Sequence, residues 1–562
     1  MGTTTLEEAR EVAAFIESER TGWESSWREV ADYVLGFDGA SGGIGGQQDG
    51  GSHPASSQGG KTGSRIIDAT ATRALRVLAA GLQGGLTPPA RPWFRLKLAD
   101  KALMEFPQVR YWLGDVEAEI YRALAGSNFY QSSHALFTEL AAYGSADLYM
   151  ESDPVRVMRF SVLPHIDFAW ACDAAGAVDT VVRRYRLTAR QLAEKYGESR
   201  LTRATRRLVS KEPYGKVELV QLVRPRASRD TRKADSRNMP FESLVWEAQG
   251  AQQLLHESGY AEFPHLCARW DVGGGQTYGR SPVMDVLPDV KMLQEMARSQ
   301  LLAVHKVINP PMRVPTGFKQ RLNLIPGAQN YVNPAQPDAL SPLYQIRPDI
   351  QAVTYKIEDV RRSIREGLFT EMFLLFAGEA RSNVTAAEIM ERSQEKLLLL
   401  GPVVERHQTD ILDPLIGRAF GLLARAGRLP AAPDVLAGRQ LKVEYVSALA
   451  QAQLLSAAQG VRQLAGDVAR FAAMAPQVLD KFDFEQAVDE LASIVGAPAR
   501  IVRSDEDVQR IRDERLQAEI AGRQLALLEE AGREARKEGR NGAGSEAGRK
   551  AGEKLAKRVE QP

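Results

Sequence analysis

Two helix-forming stretches separated by a proline-rich insert, between Tyr278 and Leu375, constrain this chain more than any other feature. The first stretch begins at Ser281, which can cap a helix, and at Pro282, whose fixed φ suits a first helical turn. Its apolar residues recur at helical spacing: Val286, Leu287, Val290, Leu293, Ala297, Leu301, Val304 and Ile308. We therefore predict a long amphipathic helix.

The second stretch has the same character. Its apolar residues also follow helical spacing: Val353, Ile357, Val360, Ile364 and Leu368. The opposite flank is fully charged: Lys356, Glu358, Asp359, Arg361, Arg362, Arg365 and Glu366. This pattern predicts a second amphipathic helix.

The insert between them, Asn309 to Pro348, contains eight prolines. Because proline removes a backbone donor and interrupts helices, only short strands are expected there, such as Met312 to Val314 and Asn330 to Val332. The whole segment therefore predicts two amphipathic helices that present a small knob.

The composition limits the kinds of protein this chain can be. Its 562 residues, 44% of them hydrophobic, can bury several domain cores. Lys and Arg number 72 and Asp and Glu 71, so the net charge is +1. A nearly neutral chain cannot neutralise many phosphates, which argues against a static nucleic-acid binder but leaves passing contact with DNA open.

Signals for metals, disulfides and membranes are weak. Cys172 and Cys267 are the only cysteines and lie far apart, and the histidines lack paired helical spacing. We therefore expect no disulfide framework, no metal site and no cofactor. No apolar run reaches the roughly 20 residues of a membrane span, and the polar N-terminus does not resemble a signal peptide. These features predict a protein made and kept in a cytoplasm.

The N-terminal part is predicted to be mostly helical. Helices are expected at Thr5 to Leu35, Ile66 to Gln83, Val109 to Leu124 and His134 to Gly144, with a strand at Phe94 to Leu98. Between the first two helices, Gly36 to Gly63 is rich in Gly, Ser, Gln and Asp and predicts a flexible loop. Around Lys61 this loop resembles a phosphate-binding loop. Ala55 stands where that motif requires glycine and no apolar strand precedes it, so a solvated loop is favoured.

From Ala146 onward the apolar pattern becomes typical of β-strands. We predict strands at Asp147 to Glu151, Val155 to Ser161, Phe168 to Cys172, Val178 to Tyr185, Lys216 to Arg224, Phe241 to Glu247, Gln253 to Glu257 and Phe263 to Val272. The first four are expected to form a small antiparallel sheet, followed by a threonine-capped helix at Thr188 to Tyr196. The basic connection Arg226 to Arg237 is interrupted by Asp230 and Asp235, so a solvated loop is favoured over a nucleic-acid patch.

Helices dominate the C-terminal part. Thr385 and Glu388 form a capping box that begins a helix reaching Gly427, with a kink expected at Pro402. We also predict a strand at Lys442 to Val446 that returns to the sheet, helices within Ala448 to Val495, and a charged helix after Ser504 that frays into a tail.

No catalytic constellation accompanies these elements, because no nucleophile elbow, facing carboxylate pair or His-x-x-x-His pair occurs in its required context. Isolated polar residues are better explained as caps, turn residues or satisfied polar groups: Asp68, Asp147, Asp271 and His305. The organisation itself is more informative. Two helices that cannot bury their apolar faces alone would bury them in a symmetric ring of subunits, which forms a conduit.

Several stretches occur in an order that is typical of one protein family. They are Asp68 to Leu75, Ala79 to Pro89, Arg91 to Phe94, Ser127 to Tyr130, Tyr278 to Pro282, Leu287 to Lys291, Asn309 to Pro311, Thr385 to Ile389 with Arg392, and Leu400 to Val403. In these residues the chain resembles the portal, or head-to-tail connecting, proteins of short-tailed, T7-like bacteriophages (podoviruses).

This resemblance implies a predominantly α-helical α+β portal fold without enzymatic activity. It implies a ring of about twelve subunits at one vertex of the virion capsid, assembled in the host cytoplasm. Through this ring the double-stranded DNA is packaged and ejected. The implied partners are the terminase large subunit, tail adaptor and nozzle proteins, scaffold and major capsid protein, with no membrane and no cofactor.

Portal proteins are divided into wing, stem, clip and crown. By resemblance, the wing covers 1–281, the stem helices 282–308 and 350–375, the clip 309–349, a channel loop 376–384, a wing return helix and strand 385–446, the crown 447–503 and a charged helix or disordered tail 504–562. In the channel loop, Arg381 beside Glu379 and Asn383 is expected to touch either DNA phosphates or a neighbouring subunit. Docking by the clip is expected to use Arg313, Lys319, Arg321, Tyr331 and Tyr344.

Two alternatives stay open at this point. One is a nucleotide-binding enzyme that uses the loop around Lys61. The other is a helical scaffold that acts outside any virion. The portal hypothesis also predicts stem faces toward the channel that mix charges or lean acidic, since a basic lining would hold DNA too tightly to let it slide.

Overall fold

The computed structural model describes residues 5–35, 65–98, 106–233, 235–314, 350–376, 401–436, 441–445, 448–472, 475–495 and 505–541, with the isolated positions 103, 316, 322–323, 325, 329, 341–342 and 503. The chain forms two compact units. The first comprises Met1–Arg95, Val116–Pro430 and Val443–Ser456, and the second comprises Leu96–Asp115, Ala431–Lys442 and Ala457–Pro562.

Helices dominate and the strands form several small sheets, so the predicted, predominantly helical α+β class is confirmed. The α-helices are α1 Leu6–Val30, α2 Thr70–Leu86, α3 Pro107–Gly126, α4 Phe129–Tyr143, α5 Ala189–Tyr196, α6 Arg203–Lys211, α7 Pro282–Ile308, α8 Ile350–Gly367, α9 Thr370–Phe376, α10 Asp413–Arg425, α11 Ala448–Ala472, α12 Phe484–Val495 and α13 Asp505–Asn541. The strands are β1 Phe94–Leu98, β2 Ser145–Asp153, β3 Val157–Leu163, β4 Phe168–Cys172, β5 Val178–Thr188, β6 Lys216–Pro225, β7 Phe241–Glu247, β8 His256–Tyr260, β9 His265–Arg269, β10 Met312–Arg313, β11 Ser341–Pro342 and β12 Leu441–Tyr445.

Helix α1 begins with a capping box. The Glu8 amide donates to the Thr5 hydroxyl at 3.3 Å, and the Thr5 amide donates to the Glu8 carboxylate at 3.0 Å. Ala9, Ala13 and Ile16 are buried against apolar residues of β4 to β7. The predicted N-terminal helix is confirmed, with its last turn, Ala31–Leu35, in π-helical form.

The strands of the first unit form two main antiparallel sheets. One has the order β3-β2-β9 and the other β4-β5-β6-β7-β8. The prediction of one sheet for the strands between Ala146 and Tyr185 was therefore wrong. A turn in which the Asp167 amide donates to the Pro164 carbonyl at 2.8 Å separates β3 from β4. The later strand β9 completes the first sheet, and β6, β7 and β8 complete the second. The alternation of apolar and polar residues along one strand does not determine which distant strand it pairs with.

Two shorter pairings concern predicted strands. Strand β12 pairs with β1 in a two-stranded sheet, so the prediction that it returns to the sheet of β2 to β5 was wrong. Strand β10 pairs antiparallel with β11, Met312 opposite Pro342 and Arg313 opposite Ser341. The predicted strand at Met312 is thus confirmed except for its last residue. The second predicted strand of the insert, Asn330 to Val332, lies outside the described residues.

A helical stretch at 401–407 continues through a π-helical turn, Gln408–Leu412, into α10. The π-helical turn places Asp410 against Arg269 of β9, whose Nε atom lies 3.1 Å from Asp410 Oδ2. Gly427, at φ +65°, follows the end of α10 as predicted. The predicted capping box at Thr385 and Glu388 lies outside the described residues.

In the second unit, the charged helix predicted after Ser504 is confirmed as α13, as far as Asn541. Asp483 Oδ1 accepts from the amides of Glu485 and Gln486, both at 3.0 Å, and so caps α12. Arg512 of α13 forms an ion pair with Glu485 of α12. This ion pair connects the first part of α12 to α13.

Candidate functional site

Helices α7 and α8, the two that flank the insert, form an antiparallel hairpin. The Gln300 Nε2 atom donates to Thr354 Oγ1 at 3.4 Å, and Ser363 Oγ donates to Asp289 Oδ2 at 2.8 Å. Farther along, a Cβ atom on Gly367 would overlap the Val286 side chain. We call the end at Val286 and Gly367 the base of the hairpin α7–α8, and the end beside the insert its tip.

Burial changes sharply along this hairpin. The apolar residues of the base are buried: Val283, Val290, Leu293, Val360 and Ile364. The large apolar residues of the tip are exposed: Leu301 (51%), Leu302 (54%), Ile308 (67%) and Tyr355 (81%). The tip therefore presents apolar surface that the single subunit leaves uncovered.

The start of α7 is held by backbone contacts with the turn between α4 and β2. Ser281 Oγ accepts from the Met284 amide at 3.0 Å, as the predicted cap, and donates to the Ala142 carbonyl at 2.8 Å. The Gly279 amide donates to Ser145 Oγ at 2.9 Å. Gly144 has φ +76°, and a Cβ atom there would overlap the Gly279 carbonyl. Only glycine therefore allows these two backbone segments to approach this closely.

An aromatic cluster surrounds Tyr278, just before α7. The Tyr278 ring stacks on Trp170, with centroids 5.4 Å apart, and meets Trp27 of α1 edge-on at 5.6 Å. Its hydroxyl accepts from the Trp170 amide at 3.1 Å. Burial raises the pKa of Tyr278. These contacts fix the position from which the hairpin leaves the sheet.

Gln294 joins the buried side of α7 to the segment before α2. Its Oε1 atom accepts from the amides of Ile67 and Asp68 at 2.7 and 2.8 Å, and its Nε2 atom donates to the Asp68 carbonyl at 2.8 Å. Sequence reasoning missed this residue. A signal existed, because Gln294 lies four residues after Val290 on the predicted apolar face, and a polar residue there needs partners.

Asp68 accepts from the first backbone amide of α2 and is also an ion-pair partner. Its Oδ1 atom accepts from the Thr70 amide at 2.8 Å, and its Oδ2 atom accepts from Arg361 Nε at 2.9 Å and Nη2 at 2.6 Å. Burial raises the pKa of Asp68, but the hydrogen bonds from Thr70 and Arg361 outweigh it and leave the pKa below its ordinary value. Asp68 is thus a satisfied polar group, one of the explanations that the sequence offered for it. Helix α2 accordingly begins at Thr70 rather than at the predicted Ile66.

The second arm was predicted as one helix to Leu375, and this was wrong, because it breaks between α8 and α9. Phe369 adopts the left-handed conformation, φ +54°, at the break. After the break, the Phe373 ring packs directly over Gly81 of α2, where a Cβ atom would overlap it. Buried Leu368 and Met372 flank the turn. Tertiary packing thus imposes a conformation that phenylalanine rarely adopts.

The exposed side of α8 carries charges that largely pair with one another. Lys356 Nζ lies 3.0 Å from Asp359 Oδ2, and Glu358 lies 2.7 Å from Arg365 and 3.3 Å from Arg361. Hydrogen bonds from Arg365 and Arg361 lower the pKa of Glu358. At the base, Lys291 of α7 also pairs with Glu29 of α1, at 2.8 Å. The described faces of the hairpin therefore mix both signs of charge.

Of the predicted site residues, the structure describes Arg313, which lies exposed in β10. The others fall outside the described residues: Lys319, Arg321, Tyr331 and Tyr344 of the predicted clip, and Glu379, Arg381 and Asn383 of the predicted channel loop. Lys61 also lies outside.

Two further kinds of feature are absent from the described part of the chain. It contains no group of three or more His, Cys, Asp or Glu residues that could hold a metal ion. Among its helices, none is both long and apolar enough to cross a membrane.

The chain is similar over most of its length to connector proteins of bacteriophages. The family described as Bacteriophage head to tail connecting protein matches residues 6–502. A probable portal protein of Bordetella phage BPP-1 is 36% identical over 520 residues, which cover 92% of both chains. The portal protein of Salmonella phage epsilon15 is 32% identical over 549 residues, 95% of this chain and 96% of that one.

More distant similarities cover less or are weaker. The portal protein of Pseudomonas phage phiKMV is 27% identical over 226 residues, 38% of this chain and 41% of that one. A solved structure titled Neck of empty GTA particle computed with C6 symmetry is 11% identical, with a TM-score of 0.31, over 70% of this chain and 86% of that one.

Proposed function

Because this chain belongs to the family of bacteriophage head to tail connecting proteins, and so has the portal role at the virion vertex where head and tail meet, we propose that it works as one subunit of a closed ring of about twelve copies. The centre of the ring is the channel through which double-stranded DNA enters the head and later leaves it. Assembly takes place in the host cytoplasm.

The observation that carries this proposal is the exposed apolar tip of the hairpin α7–α8. Leu301, Leu302 and Ile308 each expose half or more of their surface, although α7 is otherwise amphipathic and its base is buried. Water-exposed apolar area of this kind is stabilised by burial, at about 25 cal/mol per Å². Copies arranged side by side around an axis would cover each tip with its neighbours. A ring therefore accounts for a surface that the single subunit leaves open.

In this arrangement α7 and the arm formed by α8 and α9 are the stem, and the insert between them is the clip. With 27 residues, α7 spans roughly 40 Å, enough to line a channel wall. The sheets and α1 to α6 belong to the wing, α11 and α12 to the crown, and α13 to the charged segment that follows the crown. These assignments follow the family pattern, and the observed bounds of α7 fit the first stem helix.

The paired charges along α8 support sliding rather than holding of DNA. Each phosphate neutralised by a free cation adds salt-sensitive affinity, which would slow a moving duplex. Lys356, Arg361 and Arg365 instead lie beside Asp359 and Glu358. We propose that Arg381, with Glu379 and Asn383, makes the passing contact with DNA in the channel loop.

The proposed partners follow from this position in the particle. The clip, with Arg313, Lys319, Arg321, Tyr331 and Tyr344, would dock the terminase large subunit during packaging and the tail adaptor and nozzle proteins afterwards. The scaffold and major capsid protein would surround the wing. We further propose that the chain catalyses no reaction and holds no cofactor, which sets it against the alternative of a nucleotide hydrolase around Lys61.

Electron microscopy of the purified full chain tests the proposal directly. We expect closed rings with a central channel. Monomers or open filaments at micromolar concentration would contradict the ring and would favour a helical scaffold that acts outside the virion. Magnesium-dependent hydrolysis of nucleotides that is lost in Lys61→Ala would favour the enzyme instead.

A further inference from the structure

Helix α6 and its flanks are strongly basic in a chain that is otherwise balanced. Residues 190–216 include eight Lys or Arg and three Glu, whereas the whole chain has a net charge of +1. Four of the eight lie within the nine residues of α6: Arg203, Arg206, Arg207 and Lys211.

The geometry of α6 separates its cations from its packing side. Arg203, Arg207 and Lys211 are four residues apart, so they lie on one face at intervals of about 6 Å along the axis. All three are exposed. Thr205 and Val209 lie on the opposite face, where Thr205 is buried and Val209 packs against the cluster of Leu192, Leu201 and Leu219. The basic face therefore points away from the sheet.

A buried carboxylate holds this helix in place. Glu247 of β7 is 3% exposed and accepts from the Thr202 amide at 2.8 Å and from the Thr202 hydroxyl at 2.7 Å. It also accepts from the Thr205 hydroxyl. Since Thr202 caps α6, the first turn of the helix is fixed to the sheet. The arginines therefore project from a rigid support rather than from a mobile loop.

Further cations lie close by on the same side of the sheet. Burial, and then the positive charges of Arg200, Lys195 and Arg237, lower the pKa of His256 in β8. Arg190 lies over the exposed Tyr214 ring, with its guanidinium carbon 5.6 Å from the centroid. Of the acidic residues in the segment, Glu194 lies 3.5 Å from Arg190. The local field around α6 is thus positive.

We propose that the exposed face of α6, formed by Arg203, Arg207 and Lys211, binds the phosphate backbone of duplex DNA outside the channel. Arginine and lysine at regular spacing suit the phosphates of a duplex, and this contact requires no sequence recognition. The three exposed residues of the face are all cations, with no carboxylate among them, which favours the polyanionic backbone of DNA over a folded protein of mixed charge. The inference goes beyond the channel, because it assigns a DNA contact to the surface of the β4-to-β8 sheet domain.

Closed circular duplex DNA tests this surface separately, because a circle without ends cannot thread a ring. Binding of the full-length protein to such DNA would be measured by fluorescence anisotropy or filter retention between about 50 and 200 mM salt. The logarithm of the binding constant falls with the logarithm of the salt concentration, with a slope of about −0.9 for each phosphate contact. In R203Q/R207Q/K211Q we expect affinity to fall roughly tenfold or more at low salt, and the salt slope to decrease by about 3.

The matched control is R510Q/R515Q/R523Q, which removes three exposed positive charges from α13 and changes the net charge equally. It should bind circular DNA like the unaltered protein. Equal losses in both variants, or no loss in R203Q/R207Q/K211Q, would overturn the proposal. So would binding of polyglutamate in place of DNA, which would indicate an acidic protein as partner. Ring formation by both variants can be checked separately by electron microscopy. The proposed portal function and the proposed DNA-binding face of α6 can therefore fail independently.

Discussion

The Nη2 atom of Arg361 lies 2.6 Å from the Oδ2 atom of Asp68, although the two residues are 293 positions apart in the chain. This ion pair joins the second helix of the hairpin α7–α8 to the residue whose carboxylate accepts from the first backbone amide of α2. Gln294 binds the backbone of the same residue from the first helix of the hairpin. Asp68 is therefore the point at which both helices of the proposed stem are fixed to the rest of the subunit.

Removing either partner of this pair should loosen α2 and α8 together. In Asp68→Asn the new side-chain amide loses the charge-assisted bonds from Arg361 and accepts a weaker hydrogen bond from the Thr70 backbone amide. We expect a loss of about 1–2 kcal/mol in local stability. Arg361→Gln should cost less, because that side chain is partly exposed. Hydrogen exchange of the α2 and α8 backbone amides measures the loss of local stability in each variant. The double variant should lose less than the sum of the single losses, and strict additivity would show that the pair is not coupled.

Lys356→Gln is the control for this experiment. Lys356 also pairs with a carboxylate on α8, but both partners are largely exposed, 61% and 62%. Exposed pairs contribute little to stability, so exchange in α2 and α8 should stay unchanged.

The contact of Phe373 with Gly81 predicts an asymmetric effect of two glycine substitutions in α2. Gly81→Ala places a methyl group inside the Phe373 ring and should destabilise the subunit by about 1–3 kcal/mol. Gly84→Ala meets no atom within 4 Å and should be neutral or stabilising by up to about 1 kcal/mol. Thermal melting compares the two. Combining Gly81→Ala with Phe373→Leu should recover part of the loss, and a Gly81→Ala variant as stable as Gly84→Ala would refute the close approach.

Charges at the tip of the hairpin should prevent ring formation without unfolding the subunit. The double variant L301E/L302E places carboxylates where neighbouring tips would meet, and desolvating them opposes association. We expect subunits in place of rings by native mass spectrometry, with an unchanged circular dichroism spectrum. Val155→Glu changes another exposed apolar residue, 84% exposed in the turn between β2 and β3, and should still form rings. Normal rings in L301E/L302E would remove the tip from the interface.

Buried His407 should make the subunit sensitive to acid. Burial lowers its pKa to about 3, and its ring lies 5.0 Å from that of Phe137. In the unfolded chain a histidine has a pKa of about 6.5, so below that pH the unfolded state takes up a proton that the folded state refuses. Stability should therefore fall as the pH decreases from about 6.5 toward 3, by up to about 1.4 kcal/mol per pH unit from this residue.

Melting temperatures at several pH values test this contribution. The plot of melting temperature against pH should be flatter for His407→Phe between pH 6 and 4. This range lies within the interval, from about 6.5 down to about 3, over which His407 should lower the stability. The curve of His134→Gln, which changes an exposed histidine of α4, should match that of the unaltered protein. A His407→Phe curve that is parallel to the unaltered one would show that another group controls the acid transition.

Elements with strong local signals could be predicted from the sequence. Helix α7 is capped by Ser281, begins at Pro282 and ends at Ile308 as expected, because its cap, its first-turn proline and the prolines after it act within a few residues. Strand β1 and the threonine-capped helix α5 were likewise predicted correctly. The order of the motifs was enough to identify the family, since that requires no knowledge of which residues touch.

The tertiary structure alone decided which elements meet. Strand β12 pairs with β1, and the strands between Ala146 and Tyr185 divide between two sheets, because pairing depends on partners far away in the chain. The break at Phe369 opposes the local preference of phenylalanine, and packing of Phe373 against Gly81 compensates for it. The amphipathic period of the hairpin α7–α8 was thus a property of the sequence by itself. Its fixed base at Asp68 and its exposed tip became visible only when distant residues were brought together.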